Sequence, residues 1–393
     1  MTGTPHVLII AGEASGDMHG ANLARALRAR RPELKISAMG GSALAAADCE
    51  LVYDSSRLAV VGLVEVLGHL GEILAARKLI FNFLQTQRPD LLILIDFPDF
   101  NLMLAARAKK LGIKVMYYIS PQVWAWRRGR VRKIKRLVDK MAVILPFEQE
   151  FYRHRGMEVD FVGHPLVDEL TGIAGKPPLP LTANEQQVNG TASADTARQV
   201  IGLVPGSRRR EIATLLPVFL AAARLLAQSR AKPPIFLLPM APGLGRQTLE
   251  ENGLDQYPEL DIRISDQDRH TTMAACDAVM AASGTVTLEL AILGVPTVAT
   301  YRFSPLTYLI GRLLVNVPHG TLVNLVAGRE VIPELIQDRA EPLAISREMA
   351  DLLDNPTRRQ TMLKDLAEVR EKLGRGGASQ KAADLAISLM KTP

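Results

Sequence analysis

The chain has 393 residues, of which 48% are hydrophobic and 22% are charged, and its net charge is +6. This length exceeds what one ordinary hydrophobic core holds and favours two domains. Its two cysteines, Cys49 and Cys276, lie far apart and lack metal-ligand spacing. So few and so widely separated cysteines exclude a disulfide framework and the common zinc sites. This low cysteine content fits a protein of the reducing cytoplasm. The charge gives a modest preference for anionic partners.

No segment resembles a signal peptide or a membrane span. The apolar run at the amino terminus covers only residues 7–11. A membrane span needs about 20 consecutive apolar residues, and no stretch approaches that length. We therefore expect a soluble or peripheral protein.

Short aliphatic runs alternate with segments of helical period, a pattern typical of an α/β fold with parallel sheets. Between residues 175 and 198 the composition shifts to Pro, Thr, Asn, Gln, Ser and Ala, which indicates a linker. We predict two Rossmann-like domains, 1–174 and 199–341, followed by helices alone in 342–393. The predicted strands are 7–11, 35–39, 91–96, 114–119 and 141–145, then 200–204, 235–239, 278–281 and 297–299.

Three strand-to-helix turns carry small residues that let a phosphate or a sugar approach the backbone. None matches the dinucleotide-binding or Walker A pattern, and we expect neither a cofactor nor a metal. The first turn offers candidates for sugar hydroxyls, whereas the other two offer candidates for a donor diphosphate. These residues are Glu13, Ser15, Gly16 and Asp17 in the first turn, Gly206, Ser207 and Arg208 in the second, and Ser283, Gly284 and Thr285 in the third.

Arg208 is the most informative residue of these turns. A cation in the first turn of a helix opposes the helix dipole, and a bound anion accounts for it better. Ser207 has a simpler explanation as a helix N-cap. The role of His19, which follows the first turn, stays open between a sugar contact and an ordinary surface side chain.

Asp96 is the candidate catalytic base. It directly follows the five apolar residues 91–95, and ligands of open α/β sheets bind beyond the carboxyl ends of such strands. The alternative is that Asp96 caps the next helix. Asp99 is better placed for that duty, since it directly precedes the helical pattern.

Glu289 lies at the start of a predicted helix. A capping box requires Ser or Thr three residues earlier, and position 286 is valine. We interpret Glu289 as the acceptor for the two hydroxyls of a ribose.

Two segments indicate contact with a membrane. At 100° per residue, the apolar residues of 60–74 cover an arc of roughly 180°, against roughly 100° for a helix that faces only a core. A helix buried on two sides is the alternative. The members of this arc that we assign to the membrane are Val60, Leu63, Val66, Leu70 and Ile73.

The second segment is basic and aromatic. Seven cations lie between residues 127 and 136, directly after two tryptophans. A solvated basic face is the simple explanation, but adjacent tryptophans favour an anchor at anionic headgroups. The residues of this candidate anchor are Trp124, Trp126, Arg127, Arg128 and Arg130.

Two parallel-sheet domains, a carboxylate at a strand end and phosphate-binding turns indicate a nucleotide-sugar transferase of the GT-B kind. Seven strings, in order over nearly the whole chain, resemble the motifs of the bacterial lipid-A-disaccharide synthase family. They are AGEASGD (11–17), IDFPDFN (95–101), SPQVWAW (120–126), FVGHPLVD (161–168), LVPGSRRREI (203–212), SGTVTLELAILGVPTV (283–298) and NLVAGREVIPELIQ (324–337).

The resemblance implies a reaction and its residues. It implies that UDP-2,3-diacylglucosamine and 2,3-diacylglucosamine 1-phosphate are joined through a β-1,6 bond with inversion, releasing UDP. The family's essential aspartate falls on Asp96, its donor-phosphate arginine on Arg208, and its uridine-site residues on Glu289 and Asn324. Partners are then the two lipid substrates and the anionic inner face of the inner membrane, and a homodimer is left open.

Two rival functions remain. A UDP-sugar epimerase on the same fold would use the same nucleotide turns without a lipid-facing surface. A noncatalytic nucleic-acid binder would use the basic run, but it would leave the carboxylate and the phosphate turns unexplained, and we expect no nucleic-acid partner.

Overall fold

Aliphatic runs form the central strands of two all-parallel sheets. The structure is a computed structural model that describes residues 4–57, 70–126, 128–173, 198–240, 244–265, 268–304, 308 and 317–390. The chain forms two compact units, Met1–Pro165 with Leu373–Pro393, and Leu166–Lys372. The predicted linker, 175–198, lies outside the described residues except for Arg198. The two Rossmann-like units confirm the predicted fold class.

The first unit contains a seven-stranded parallel sheet in the order β3-β2-β1-β4-β5-β6-β7. Its strands are β1 His6–Ala11, β2 Lys35–Gly40, β3 Glu50–Asp54, β4 Leu91–Ile95, β5 Lys114–Tyr118, β6 Lys140–Val143 and β7 Asp160–Phe161. Its helices are Ala14–Arg30, Ser42–Ala46, Leu70–Gln87, Pro98–Lys110, Val123–Trp126, Val131–Leu137, Pro146–Arg153 and Ala378–Met390, and Pro165–Leu170 spans the boundary between the units.

Both faces of this sheet are covered, which explains why its central strands read as unbroken aliphatic runs. Leu92 and Leu94 enter the core on one face, whereas Leu91, Ile93 and Ile95 enter the core on the other. β1 pairs with β4 so that Ala11 lies opposite Ile95. The turns that follow these two strands are therefore neighbours at the carboxyl edge of the sheet.

The second unit contains a six-stranded parallel sheet in the order β10-β9-β8-β11-β12-β13. Its strands are β8 Val200–Val204, β9 Ile235–Pro239, β10 Asp261–Ser265, β11 Ala278–Ala282, β12 Thr297–Tyr301 and β13 Glu334–Ile336. Its helices are Arg209–Gln228, Arg246–Glu250, Arg269–Ala274, Thr285–Leu293, Leu322–Ala327, Pro342–Asp354 and Pro356–Lys372.

β8 and β11 are neighbours, with Val204 opposite Ala281. The two predicted phosphate turns, which follow these strands, therefore lie side by side at the carboxyl edge of the second sheet. The strands β3, β7, β10 and β13 were not predicted. They lie at or near sheet edges and are short or partly exposed, so they lack a continuous aliphatic run.

The predicted C-terminal segment is helical throughout its described part, but its helices are divided between the units. Pro342–Asp354 and Pro356–Lys372 belong to the second unit, whereas Ala378–Met390 belongs to the first. The last helix inserts Ala382, Ala383 and Ala386 into the core of the first unit, where it contacts β4, β5 and β6. Small side chains on one face let this helix approach the sheet closely.

One helix among the described residues is long and apolar enough to cross a membrane by length and composition, namely Arg209–Gln228. This segment was not predicted from the sequence. Ile212, Leu216 and Phe219 of this helix are fully or almost fully buried in the second unit. Core helices of soluble proteins have the same composition, so the helix is weak support for a membrane span.

We predict that the last helix stabilises the first unit. In Ala386→Asp, an unpaired carboxylate enters a core position, which costs several kcal/mol. Amide hydrogen exchange in β1 and β4 should accelerate strongly. Ser388→Asp, on the exposed side of the same helix, is the matched control and should leave this exchange unchanged. Equal protection in both variants would mean that the last helix does not support this sheet.

Candidate active site

Asp96 follows β4 directly and begins a turn of unusual backbone conformation. The φ angles of Asp96 and Phe97 are 43° and 47°, so two consecutive residues other than glycine adopt the left-handed region. For an aromatic residue this conformation is a genuine outlier. Strain of this kind persists only where surrounding contacts hold it, and it concentrates at functional sites.

The Phe97 ring lies against the turn that follows β1. A Cβ atom on Gly12 would lie 2.5 Å from two carbons of this ring, so only glycine fits at position 12. The next residue, Glu13, is exposed and precedes the helix Ala14–Arg30. The sequence therefore brings Glu13 and Asp96 together through the close packing of two neighbouring turns.

The carboxyl group of Asp96 is partly buried. Burial raises the pKa of Asp96 to about 6, and the negative charge of Glu13 adds to the rise. The hydrogen bond from the N–H of Phe97 lowers this pKa and partly offsets the other two effects. A carboxylate with a pKa close to the working pH is both ionised and basic, as a general base requires.

Asp99 does not cap the following helix, which corrects the sequence prediction. The helix begins at Pro98, so Asp99 lies inside its first turn, and the left-handed Phe97 occupies the N-cap position. The carboxylate of Asp99 instead forms an ion pair of 2.5 Å with Arg130. The capping rule failed here because proline started the helix one residue earlier.

Asp17, predicted to bind sugar hydroxyls, has a structural role. Its buried carboxylate accepts three backbone N–H groups, from Gly41 at 2.7 Å, Ala43 at 2.8 Å and Leu44 at 3.1 Å. These groups begin the helix Ser42–Ala46, whose N-terminal N–H groups lack partners within the helix. Of the other candidates in this turn, Ser15 is exposed and Gly16 is buried.

His19 lies near His164 on the same unit. Burial lowers the pKa of His19 to about 4 and that of His164 to about 3, and the neighbouring His19 adds to the lowering at His164. Both rings are therefore neutral near pH 7. Their neutrality excludes a role for His19 as a cation in binding a phosphate.

A second strained turn follows β5, and sequence reasoning missed it. Ile119 has a φ of 65°, which is an outlier for a β-branched residue. The next hydroxyl, of Ser120, lies 2.6 Å from the hydroxyl of Tyr152, and both side chains are buried. Glu148 is buried beside them, and burial raises its pKa to about 7.

Trp124, predicted to face a membrane, is a core residue. It is 6% exposed, and its ring contacts Phe147 edge to face at 5.0 Å. An adjacent pair of tryptophans signals an interface only when both rings reach the surface. The side chain of Trp126 and all of Arg127 lie outside the described residues.

The turn after β8 has the predicted shape, but a protein carboxylate already occupies its donors. Gly206 has a φ of 118°, which favours glycine. Glu211 Oε2 accepts the N–H groups of Ser207 at 3.1 Å and Arg208 at 3.3 Å, while its Oε1 lies 3.2 Å from the Arg208 guanidinium. Sequence reasoning missed Glu211, although a Glu three residues after the N-cap is half of a capping box.

The Arg208 side chain is 79% exposed. Its cation is therefore the group of this turn that is open to a bound anion. Ser207 lies before the N-cap position, which Arg208 occupies, so Ser207 is not the N-cap.

The turn after β11 is open at its tip. Gly284 and Thr285 are exposed, and Ser283 donates its hydroxyl to the Gly320 carbonyl at 2.8 Å. Glu289 lies one turn into the following helix and is 3% exposed. Arg269 holds its carboxylate at 2.7 Å, and His270 Nε2 lies 3.2 Å from it. These two partners of Glu289 were not predicted, because they lie 20 and 19 residues away in sequence.

Asn324, predicted to contact uridine, is fully buried and its amide group is occupied. Its Nδ2 donates to the carbonyl of Ile332 and to Glu334, and its Oδ1 accepts the N–H groups of Val331 and Ile332. No donor or acceptor of this side chain remains for a base. Asn324 therefore shapes the segment that the Ser283 turn contacts, which corrects the predicted role.

Little of the predicted apolar membrane face can be located. Val60, Leu63 and Val66 lie outside the described residues, as does the side chain of Leu70. Ile73 is partly buried and packs against the core of the first unit, so much of its side chain is not available to a membrane. Leu74, at 42% exposed, presents an apolar side chain to solvent.

The basic segment is a surface feature. Arg128 is exposed, whereas Arg130 is paired with Asp99. In the helix Val131–Leu137, Val131 and Ile134 are buried and the other face is exposed and cationic. Its exposed cations are Arg132, Lys133, Lys135 and Arg136. Across the described ranges, no group of three or more His, Cys, Asp or Glu side chains could hold a metal ion.

Comparison with known proteins assigns the family. The sequence model described as lipid-A-disaccharide synthetase matches residues 7–388. The chain belongs to the lipid-A-disaccharide synthase family. The enzyme of that name from Geobacter metallireducens is 46% identical over 389 residues, covering 98% of this chain and 97% of the relative. The one from Nitrosococcus oceani is 47% identical over 391 residues, with the same coverage.

This membership makes the chain a glycosyltransferase of lipid A disaccharide synthesis and confirms the resemblance drawn from the motifs. It also rules out the alternative function of a noncatalytic nucleic-acid binder. Solved structures agree on the fold. The calicheamicin glycosyltransferase CalG4 has a TM-score of 0.61 at 15% identity, and all of both chains is covered.

A UDP-GlcNAc 2-epimerase from Neisseria meningitidis, bound to UDP-GlcNAc, has a TM-score of 0.65 at 13% identity over 98% of this chain and 100% of the epimerase. At such identity the likeness shows the GT-B fold alone, so it gives the epimerase alternative no support.

We predict that Asp17 of this synthase-family chain stabilises the fold and does not bind substrate. Asp17→Ala leaves three backbone N–H groups without their hydrogen-bond acceptor, so it should lower the free energy of unfolding by about 2 kcal/mol or more. Ser15→Ala, two residues earlier and exposed, should leave it unchanged. The measurement is denaturant unfolding, and unchanged stability of Asp17→Ala would contradict the assignment.

Proposed function

We propose that the enzyme transfers 2,3-diacylglucosamine from UDP to the 6-hydroxyl of 2,3-diacylglucosamine 1-phosphate, with inversion, to form the β-1,6-linked disaccharide 1-phosphate and UDP. The family assignment supports the product class. The observation that carries the mechanism is the partly buried Asp96, which has a raised pKa and lies at the carboxyl end of β4.

Asp96 is proposed to remove the proton of the acceptor hydroxyl. A neutral sugar hydroxyl is a weak nucleophile, and a nearby carboxylate increases its electron density as it attacks the anomeric carbon. The hydroxyl's proton moves to Asp96, the new C–O bond forms, and the bond from the anomeric carbon to the UDP oxygen breaks. Attack from the face opposite UDP gives inversion.

The second unit is proposed to bind UDP. The exposed Arg208 guanidinium would compensate the negative charge that grows on the leaving diphosphate. Glu289 would accept hydroxyls of the ribose in exchange for part of its contact with Arg269. The exposed turn of Gly284 and Thr285 leaves room for a phosphate at the start of a nine-residue helix.

The acyl chains of both substrates require access to a membrane. We propose that the enzyme is cytoplasmic and binds peripherally to the inner face of the inner membrane. The exposed cations of the helix Val131–Leu137 support this location, because clustered Lys and Arg attract anionic headgroups.

We predict that Asp96→Asn abolishes proton acceptance while keeping the shape of the turn. Turnover should fall roughly 100-fold or more, and UDP affinity should be unchanged. In the wild type, kcat should fall as the pH drops below about 6, because the base becomes protonated. Asp99→Asn is the control, since its exposed ion pair is worth little. Near-normal turnover of Asp96→Asn would contradict the proposed base.

We predict that Arg208→Ala weakens binding of UDP more than binding of uridine, because only UDP carries the diphosphate. A charge-assisted contact is worth about 1.5 to 3 kcal/mol, and the loss should appear in calorimetric Kd values. Arg209→Ala is the matched control, since Arg209 is exposed and adjacent on the same helix. By contrast, Glu289→Gln should weaken the binding of UDP and of uridine alike, since both ligands contain the ribose. Equal losses for both ligands in Arg208→Ala would refute the phosphate contact.

We predict that the helix Val131–Leu137 binds anionic membranes. Replacing Arg132, Lys133 and Arg136 together by Gln should weaken binding to anionic vesicles by about 1 kcal/mol per cation, and high salt should reproduce the loss. A control variant with Lys110, Lys364 and Lys381 changed to Gln removes three exposed cations elsewhere. If both triple variants lose affinity equally, overall charge and not this helix is responsible.

A further inference from the structure

The backbone carbonyl of Asp96 is held by two side chains from different elements. Asn101 Nδ2, on the helix that follows, donates to this carbonyl at 2.7 Å and to the carbonyl of Ile95 at 3.1 Å. The Tyr117 hydroxyl, on the neighbouring strand β5, donates to the same Asp96 carbonyl at 2.5 Å. Three hydrogen bonds therefore fix the point at which β4 ends and the left-handed turn begins.

Neither side chain can itself meet a substrate. Asn101 and Tyr117 are both 0% exposed. Burial raises the pKa of Tyr117 well above its ordinary value, and the charge of Asp96 adds to the rise. The hydroxyl therefore keeps its proton over the whole working range of pH and remains a donor to the carbonyl.

The hydrogen bonds act where the backbone is strained. A left-handed conformation at Asp96 and Phe97 costs free energy that ordinary strand-to-helix turns avoid. Rotation of the Asp96 peptide out of this conformation would turn its carbonyl away from both donors. It would also swing the carboxylate, which is attached to the same Cα atom.

We propose that Asn101 and Tyr117 are positioning residues that hold the Asp96 carboxylate in its catalytic orientation through the Asp96 carbonyl. This inference rests on the proposed role of Asp96 as the base. Asn101, the last residue of the motif IDFPDFN, and Tyr117, which lies outside that motif, would then support the reaction without touching the reacting atoms.

The chain offers a matched control. Tyr152 is also 0% exposed and packs in the same core as Tyr117, but its hydroxyl meets Ser120 and not Asp96. Tyr117→Phe and Tyr152→Phe each remove one buried hydroxyl and its hydrogen bond. The two variants should therefore lose similar thermal stability, which separates packing from positioning.

The test measures kcat, KM and the pH profile of these variants with both lipid substrates. Tyr117→Phe should lower kcat about tenfold or more and leave both KM values within about twofold, because misplacing a reacting group costs turnover. Tyr152→Phe should keep kcat within about twofold. Asn101→Ala, which removes two of the three bonds, should lose at least as much kcat as Tyr117→Phe.

The pH profile adds a readout that a purely structural role would not move. Desolvation is the main cause of the raised pKa of Asp96, so a loosened turn that admits water should shift the acidic limb of kcat to lower pH in Tyr117→Phe. The limb should stay in place in Tyr152→Phe. Equal kcat and an unmoved limb in Tyr117→Phe, alongside an inactive Asp96→Asn, would overturn the positioning role alone. An active Asp96→Asn would instead overturn the proposed base.

Discussion

The left-handed turn at Asp96 and Phe97 is the constraint on which the carboxyl edge of the first sheet is built. It lets the chain pass from β4 into the next helix within two residues, so the carboxylate stays at the strand end and does not move away on a loop. Gly12 must lack a side chain because the Phe97 ring covers it. The charge of Glu13, carried by that neighbouring turn, then helps to keep the pKa of Asp96 close to the working range.

In the second unit, the side chains that we propose for binding the UDP-sugar are already paired with other groups of the protein. The carboxylate of Glu211 lies on the backbone donors beside Arg208, and Arg269 pairs with the buried Glu289. A buried charge without a partner is costly, so such pairs offset the cost of burying these groups. A nucleotide that binds here would exchange partners with these groups, and part of its binding energy would offset the loss of the internal pairs.

Sequence patterns predicted the two sheets and which strands form their centres, because buried parallel strands produce aliphatic runs. Asp96 and Arg208 became candidates because helix capping and helix dipoles do not explain their residue types in the sequence, and their roles in the reaction stay predictions. Asp17 and Asn324 show the limit of such reasoning. Both lie in candidate motifs, yet groups elsewhere in the chain occupy their polar atoms. The partners of Asp17 are the backbone N–H groups of Gly41, Ala43 and Leu44. Those of Asn324 include the backbone N–H of Val331 and the side-chain carboxylate of Glu334. Motif position does not reveal which polar atoms remain available.

The surface predictions show the same limit. Trp124 is buried and Ile73 is partly buried against the core, although both were predicted to face a membrane, because apolar side chains suit both environments. The exposed cations of the helix Val131–Leu137 were easier to place at the surface from sequence, since charged side chains are rarely buried without a partner.

The most direct test of the central claim is a two-substrate assay with product analysis. Purified enzyme is incubated with UDP-2,3-diacylglucosamine, with and without 2,3-diacylglucosamine 1-phosphate, and UDP is quantified while the product linkage is determined by mass spectrometry and NMR. We expect one UDP per disaccharide 1-phosphate, a β-1,6 bond, and no UDP release without the acceptor. A product that retains the α configuration, or conversion of the donor to an epimer in the absence of the acceptor, would contradict this claim.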